Sequence, residues 1–199
     1  MAGTEIVDSI KTFIDQIAPV AFTEQRGRWV FRGHSDARFR LVPSVARVPH
    51  TSTNLAAFEK SIFKIFRREA ESFGANGPHN DWEWLAFGQH HGLPTRMLDW
   101  TQNPLVALYF AVAEFEAFDG ELFALATTAQ VGPATINTSP FGLKRCYKYY
   151  PRIVAPRIRA QEGLFVVFDD PSSPLDENLR SGWSVRRFLV PKKGTYIPS

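Results

Sequence analysis

The stretch from Thr95 to Phe118 limits what this chain can fold into more than any other. Thr95-Arg96-Met97-Leu98-Asp99-Trp100 reads as a buried strand. Asn103 is a good helix cap, and Pro104 suits the first helical position because its missing N–H has no helical partner there. From Leu105 to Phe118 the residues are apolar almost all round. A helix without a polar face has no side to offer water, so this one is expected to be central and buried.

The remaining elements follow from periodicity and from Gly and Pro punctuation. Ile6, Ile10, Phe13, Ile14 and Ile17 recur at helical spacing, with Thr4 able to cap and Pro19 expected to stop the helix. Arg28–Gly33 is a short β-prone run followed by a turn at His34-Ser35-Asp36, and 39–49, with two prolines, reads as an irregular crossing. A strong helix is expected over 54–73, capped by Thr53 or Asn54. Leu55, Phe58, Ile62, Ile65, Phe66 and Phe73 line one face of it, and Gly74 follows its end. Asp81 should cap a short helix over 82–90 that ends at Gly92. Asp119-Gly120 turns into a strand at 121–127, residues 130–156 read as loop-rich, and strands are expected at 157–168 and 185–190. Helices come first and strands cluster late. The expected fold is α+β, with about four helices on a small mixed or antiparallel sheet: a short N-terminal helix over 1–20 and a single domain over 21–199.

At 199 residues, with 44% hydrophobic and 22% charged residues, the chain has enough apolar surface for one real core. Its one cysteine, Cys146, excludes an intramolecular disulfide and a cysteine zinc cluster. No apolar run reaches the ~18 residues that span a bilayer, and the acidic, amphipathic start is unlike a signal peptide, so a cytoplasmic protein without a membrane partner is expected. The net charge of +3 conceals an uneven distribution. Residues 26–47 carry +5 and residues 122–161 carry +6 with no Asp or Glu at all, which leaves the remainder acidic. Such patterning points to an anionic partner: a nucleotide, a phosphate-bearing ligand or nucleic acid.

Three blocks hold the candidate chemistry. Arg32-Gly33 at a strand end offers a bidentate cation beside a residue without a side chain, and this suits a phosphate or carboxylate. Residues 87–105 crowd His90, His91, Thr95, Arg96, Asp99, Trp100 and Thr101 between buried elements, where polar groups must satisfy one another or a ligand. Adjacent histidines diverge by ~100° on a helix, so they cannot share a metal, and no metal is expected. In 157–168, Arg157, Arg159 and Gln161 share one strand face, and Gly163 marks a register flip or bulge beside Gln161 and Glu162. The basic stretch 141–159, interleaved with Tyr147, Tyr149 and Tyr150, could stack bases and hold phosphates.

These blocks resemble the FRG domain family of bacterial and phage proteins. The likeness rests on Trp29-Val30-Phe31-Arg32-Gly33-His34-Ser35-Asp36 running on to Ser44, on His90 to Thr101 with Pro104 to Ala111, and on Arg157 to Phe165. It covers roughly residues 26–190. A remoter similarity is to ADP-ribosyltransferases, which place an Arg-Gly at a first strand end, a strand leading into a packed helix, and a later Gln or Glu. The resemblance implies an ADP-ribosyltransferase-like domain that consumes NAD in a toxin or anti-phage setting. Arg32 would hold an NAD phosphate, Gln161 or Glu162 would stabilise the ribosyl centre or orient the acceptor, and Trp100, Thr101 and Tyr109 would wall the nicotinamide. Gly33, His91, Thr95, Arg96, Asp99 and Arg159 complete the candidate ligand contacts. The other expectation is a module without turnover that binds nucleic acid or another phosphate-bearing ligand through its Arg-rich face.

Overall fold

A computed structural model describes residues 5–21, 28–72, 78–113, 118–152, 162–177, 179 and 181–192. The described residues form seven strands in one mixed sheet: β1 (Glu5–Ile6), β2 (Trp29–His34), β3 (Met97–Thr101), β4 (Gly120–Ala126), β5 (Tyr147–Tyr149), β6 (Gly163–Val167) and β7 (Ser184–Val190). Their spatial order is β1-β7-β4-β2-β3-β6-β5, with β1 parallel to β7 and every other pair antiparallel. Five helices accompany it: α1 (Ile10–Ala21), α2 (Leu55–Glu71), α3 (Asp81–His90), α4 (Pro104–Val112) and α5 (Pro133–Ile136). The α+β expectation holds, but the sheet is larger than expected. Its extra strands β1 and β5 are only two and three residues long, too short to show a period of two in sequence.

The N-terminal segment corrects the helix expectation. Ile6 pairs with Leu189 as a strand, and α1 starts at Ile10, where Ser9 and Thr12 exchange backbone-to-hydroxyl hydrogen bonds at 3.0 and 3.2 Å. Thr4 lies outside the described residues. Pro19 does not stop the helix, which runs through it to Ala21 while Val20 reaches the core. The buried line is Phe13-Ile17-Val20; Ile10 and Ile14 face outward.

Phe31 pairs with Thr101, so strand alternation brings Phe31, Asp99 and Met97 to the same face of the sheet. On that face α1 and α4 cover β7, β4 and β2 with Phe13, Ile17, Ala107, Ala111, Leu122 and Phe188. Farther along, α2 and α3 cover β3 and β6 through Phe63, Trp82, Leu85, Met97 and Phe165. The opposite face is sealed by Leu41, Phe168 and Leu175 against Val30, Leu98, Trp100 and Leu164.

The apolar helix is not central. In α4 only Ala107 and Ala111 are buried, while Leu105, Tyr109 and Val112 are exposed. The helix lies on the sheet surface through its small residues because glycines floor it. A Cβ on Gly33 would sit 1.9 Å from the Ala107 carbonyl oxygen, and one on Gly120 would sit 2.0 Å from that of Ala111. The N-cap reading holds: the Asn103 side chain accepts from Leu105 N–H at 3.0 Å, with Pro104 opening the helix.

Helix α2 is capped by Asn54, whose side chain accepts from Ala57 N–H at 3.1 Å. Its inward stripe includes Phe63 and a fully buried Glu59, whereas Ile65, expected inside, is exposed. Phe73 and Gly74 lie outside the described residues. In α3 the cap is Asn80 rather than Asp81, accepting from Glu83 N–H at 3.0 Å. Strand β2 continues through His34, where a turn was expected, and β6 begins only at Gly163. No register flip follows Gly163. The run Leu164–Phe168 is apolar because both faces of β6 are covered, Leu164 and Val166 on one and Phe165 and Val167 on the other. The irregularity sits one residue earlier, at Glu162, which has a left-handed φ of 48°.

Candidate functional site

The two helical layers stop short of each other above β2 and β3, and a cleft of about 480 Å³ opens there. Phe31, Thr101, Gly163 and Phe165 contribute its floor, Val106 and Phe110 of α4 stand on one side, and Gln89, His90 and Leu93 at the end of α3 stand on the other. Arg32 and Asp99 supply its charges.

Strands β2 and β3 pair only at Phe31 and Thr101 and diverge beyond, which leaves a fork for the Arg32 side chain. One Nη of Arg32 donates to the Asp99 carbonyl oxygen, and its Nε donates to His34 Nε2 at 2.9 Å. The imidazole therefore accepts at Nε2 and carries its proton on Nδ1, which faces the Phe39 carbonyl at 3.3 Å. His34 is buried, and burial, reinforced by the adjacent Arg32 charge, pushes its pKa down to about 3. It is a neutral acceptor that aims a cation. Arg32 is itself half-buried. Desolvation lowers its pKa, Asp99 opposes the shift and Arg47 adds to it, yet a guanidinium stays charged at neutral pH. Among the described residues Arg32 belongs to no ion pair.

A second chain of bonds aims the carboxylate. The Thr95 hydroxyl accepts from Met97 N–H at 3.1 Å and donates to the Gln89 side-chain oxygen. The Gln89 amide then donates to Asp99 Oδ2 at 3.0 Å. Thr95 is completely buried, so it positions the site from behind and cannot touch a ligand.

Other sequence candidates are placed differently from expectation. Arg96 is 1% exposed and forms a bidentate pair with buried Glu59, its Nη2 lying 2.6 Å from Glu59 Oε2. Its remaining donors reach the carbonyls of Pro140 and Phe168. Arg96 thus joins α2 to β3 and is not a ligand contact. Gly33 borders the cleft, but its missing side chain accommodates α4. Trp100 borders the cleft, but its side chain packs into the opposite core, where its indole N–H has no partner among the described residues. Thr101 lies on the floor and holds Asn103 N–H at 3.0 Å. Tyr109 points outward, and its neighbour Phe110 lines the cleft, since one helical residue turns the direction by ~100°. His91 likewise packs against Phe87, the rings tilted with centres 4.4 Å apart, and His90 is the histidine at the rim. Arg159 and Gln161 lie outside the described residues. Glu162 is exposed, and its carbonyl accepts from Gln102 N–H at 3.1 Å beside the cleft's Gly163.

Gln89, Phe110, His34 and Glu59 were not singled out in the sequence. Gln89 left a signal as a polar residue inside the crowded second block, and His34 as part of the motif that follows Arg32-Gly33. Of the basic–aromatic stretch, Lys148 and Tyr149 are buried, which leaves Lys144, Arg145 and Arg152 exposed.

Residues 27–120 match the family model of the FRG domain. Over that segment the chain is similar to the FRG domain. The match includes β2, α2, α3, β3 and α4, and therefore Arg32, His34, Gln89, Asp99 and Phe110. The part of the cleft floor at Gly163 and Phe165 comes from β6, beyond the matched segment of the FRG domain. No curated protein and no solved structure matched the chain. Among the described residues no helix is long and apolar enough to cross a membrane, and no group of three or more His, Cys, Asp or Glu could hold a metal ion.

Proposed function

We propose that the chain binds NAD in this cleft and consumes it by ADP-ribosyl transfer. The observation that carries the reading is the pairing of an oriented cation and an oriented carboxylate over an aromatic floor. Arg32 is fixed by His34 and the Asp99 carbonyl, and the Asp99 carboxylate is fixed by Gln89. An arginine held without an acidic partner offers its free donors to a phosphate. Phe110, half-buried on the cleft wall, supplies flat apolar surface for a ring.

In the transfer, the bond between ribose C1′ and the nicotinamide nitrogen breaks. Its electron pair stays on that nitrogen and neutralises the pyridinium. An acceptor oxygen or nitrogen forms the new bond to C1′ and releases its proton. Positive charge develops on the ribose meanwhile, and a carboxylate aimed beforehand stabilises it without reorganising. Asp99 is the acidic residue lining the cleft and takes that role in this reading. Gln161 and Glu162 are assigned to orienting the acceptor, with Glu162 held in a left-handed conformation next to the floor. An activity of this kind suits a toxin or an anti-phage effector.

The test is thermal unfolding with and without NAD, together with nicotinamide release in the presence of candidate protein or nucleic acid acceptors. NAD should raise the Tm of the wild type, Arg32→Gln should abolish the rise, and Asp99→Asn should suppress release. A Tm rise without release would replace the enzyme with a binding module. The absence of both effects would sink the reading altogether.

A further inference from the structure

We propose that Arg47 and Arg32 together grip a diphosphate, at the junction of the cleft with a second pocket, so that the ligand spans both. This rests on the reading of the cleft as a nucleotide site and adds to it the residue that holds the ligand's far half.

The second pocket measures about 340 Å³ and shares Arg32, Gly33 and Phe110 with the cleft. Its other lining includes His34, Phe39, Arg40 and Arg47, and among the described residues no acidic one lines it. The arginines of this region are not equivalent. Arg38 is engaged by Asp36 at 2.6 Å, and Arg40 by Glu177 at 2.7 Å. Arg47 is exposed, at the end of a 3₁₀ turn over Ser44–Ala46, and among the described residues its side chain has no ion pair or hydrogen bond. Its charge is nevertheless close enough to push down the pKa of both Arg32 and His34.

Two cations facing one volume repel each other unless an anion joins them. The nearby carboxylates cannot fill that place. Asp36 and Glu177 are already taken, and Asp99 lies on the cleft side of Arg32, held by Gln89. A group with two adjacent negative phosphates matches two adjacent guanidinium forks. Aromatic surface borders the junction at Phe110, which both pockets share, and at Phe39 in the second pocket. A diphosphate with a ring at each end fits that arrangement.

Isothermal titration of the wild type, Arg47→Gln and Arg68→Gln tests this with three titrants: inorganic pyrophosphate, ADP-ribose and adenosine. Arg68 lies on α2 outside both pockets, so its variant controls for loss of one positive charge. Unchanged Tm values establish that both variants fold. Arg47→Gln should weaken pyrophosphate and ADP-ribose about tenfold or more while leaving adenosine unaffected, and Arg68→Gln should change nothing. Equal affinities in the wild type and Arg47→Gln would overturn the subsite even if NAD is consumed. Pyrophosphate binding lost in Arg47→Gln without nicotinamide release would support the subsite and remove the enzyme. A wild type that binds neither phosphate compound overturns the proposal. So does one that binds a single-stranded oligonucleotide through Arg47 but not pyrophosphate.

Discussion

Acidification from pH 7 to pH 5 should remove about 2 kcal/mol of stability through His34 alone. In the folded protein burial and the facing Arg32 charge hold its pKa near 3, against an ordinary 6.5 in the unfolded chain. As pH falls below 6.5 the unfolded chain takes up a proton that the folded protein refuses, so the balance tips toward unfolding by about 1.4 kcal/mol per pH unit. The stability contributed by neutral His34 is complete above pH 6.5 and is lost progressively down to about 3. His34→Gln is the control: its side-chain oxygen can still accept from Arg32 Nε, and it does not titrate. Urea unfolding followed by tryptophan fluorescence at pH 7 and pH 5 measures the difference. The wild type should lose about 2 kcal/mol more than the variant between the two pH values, because every other titrating group is common to both. Equal losses would refute the reasoning and would mean that the imidazole can be charged where it stands beside the guanidinium.

The other two predictions concern the frame around the site. Gly33→Ala puts a Cβ against the Ala107 carbonyl and should cost about 3 kcal/mol or more, while Gly132→Ala, with nothing within 4 Å, should leave the Tm nearly unchanged. Arg96→Met strands buried Glu59 and should cost about 3–5 kcal/mol by urea titration, with much of the loss recovered in the Glu59→Leu/Arg96→Met double variant.

The local signals were readable where a residue acts on its own neighbours. Asn103 and Pro104 start α4, Asn54 caps α2, and Gly92, at a φ of 86°, ends α3, all as their residue types require. Arg32 was legible as a strand-end cation because Gly33 follows it, and Asp99 and Thr101 were legible as polar residues crowded between buried elements. Helix phase was not. Tyr109 and Phe110 are equally apolar in sequence, as His90 and His91 are equally polar, and only the docking of each helix selects the residue that meets the cleft. The same limit applies to α4 as a whole: its apolar composition says that it avoids water, and its alanines over Gly33 and Gly120 determine that it lies on the surface of the sheet.

The amino-acid sequence alone determined the α+β class, the caps of α2 and α4, and a basic segment around Arg32. These follow from propensities and charges that act within a few residues. Which arginine is structural and which is available was decided only in three dimensions. Arg96 finds Glu59, 37 positions away, and disappears into the interior, while Arg32 finds a neutral histidine and a carbonyl and, among the described residues, joins no ion pair at the cleft. An ion pair forms between groups that folding brings together, and no spacing along the chain records it.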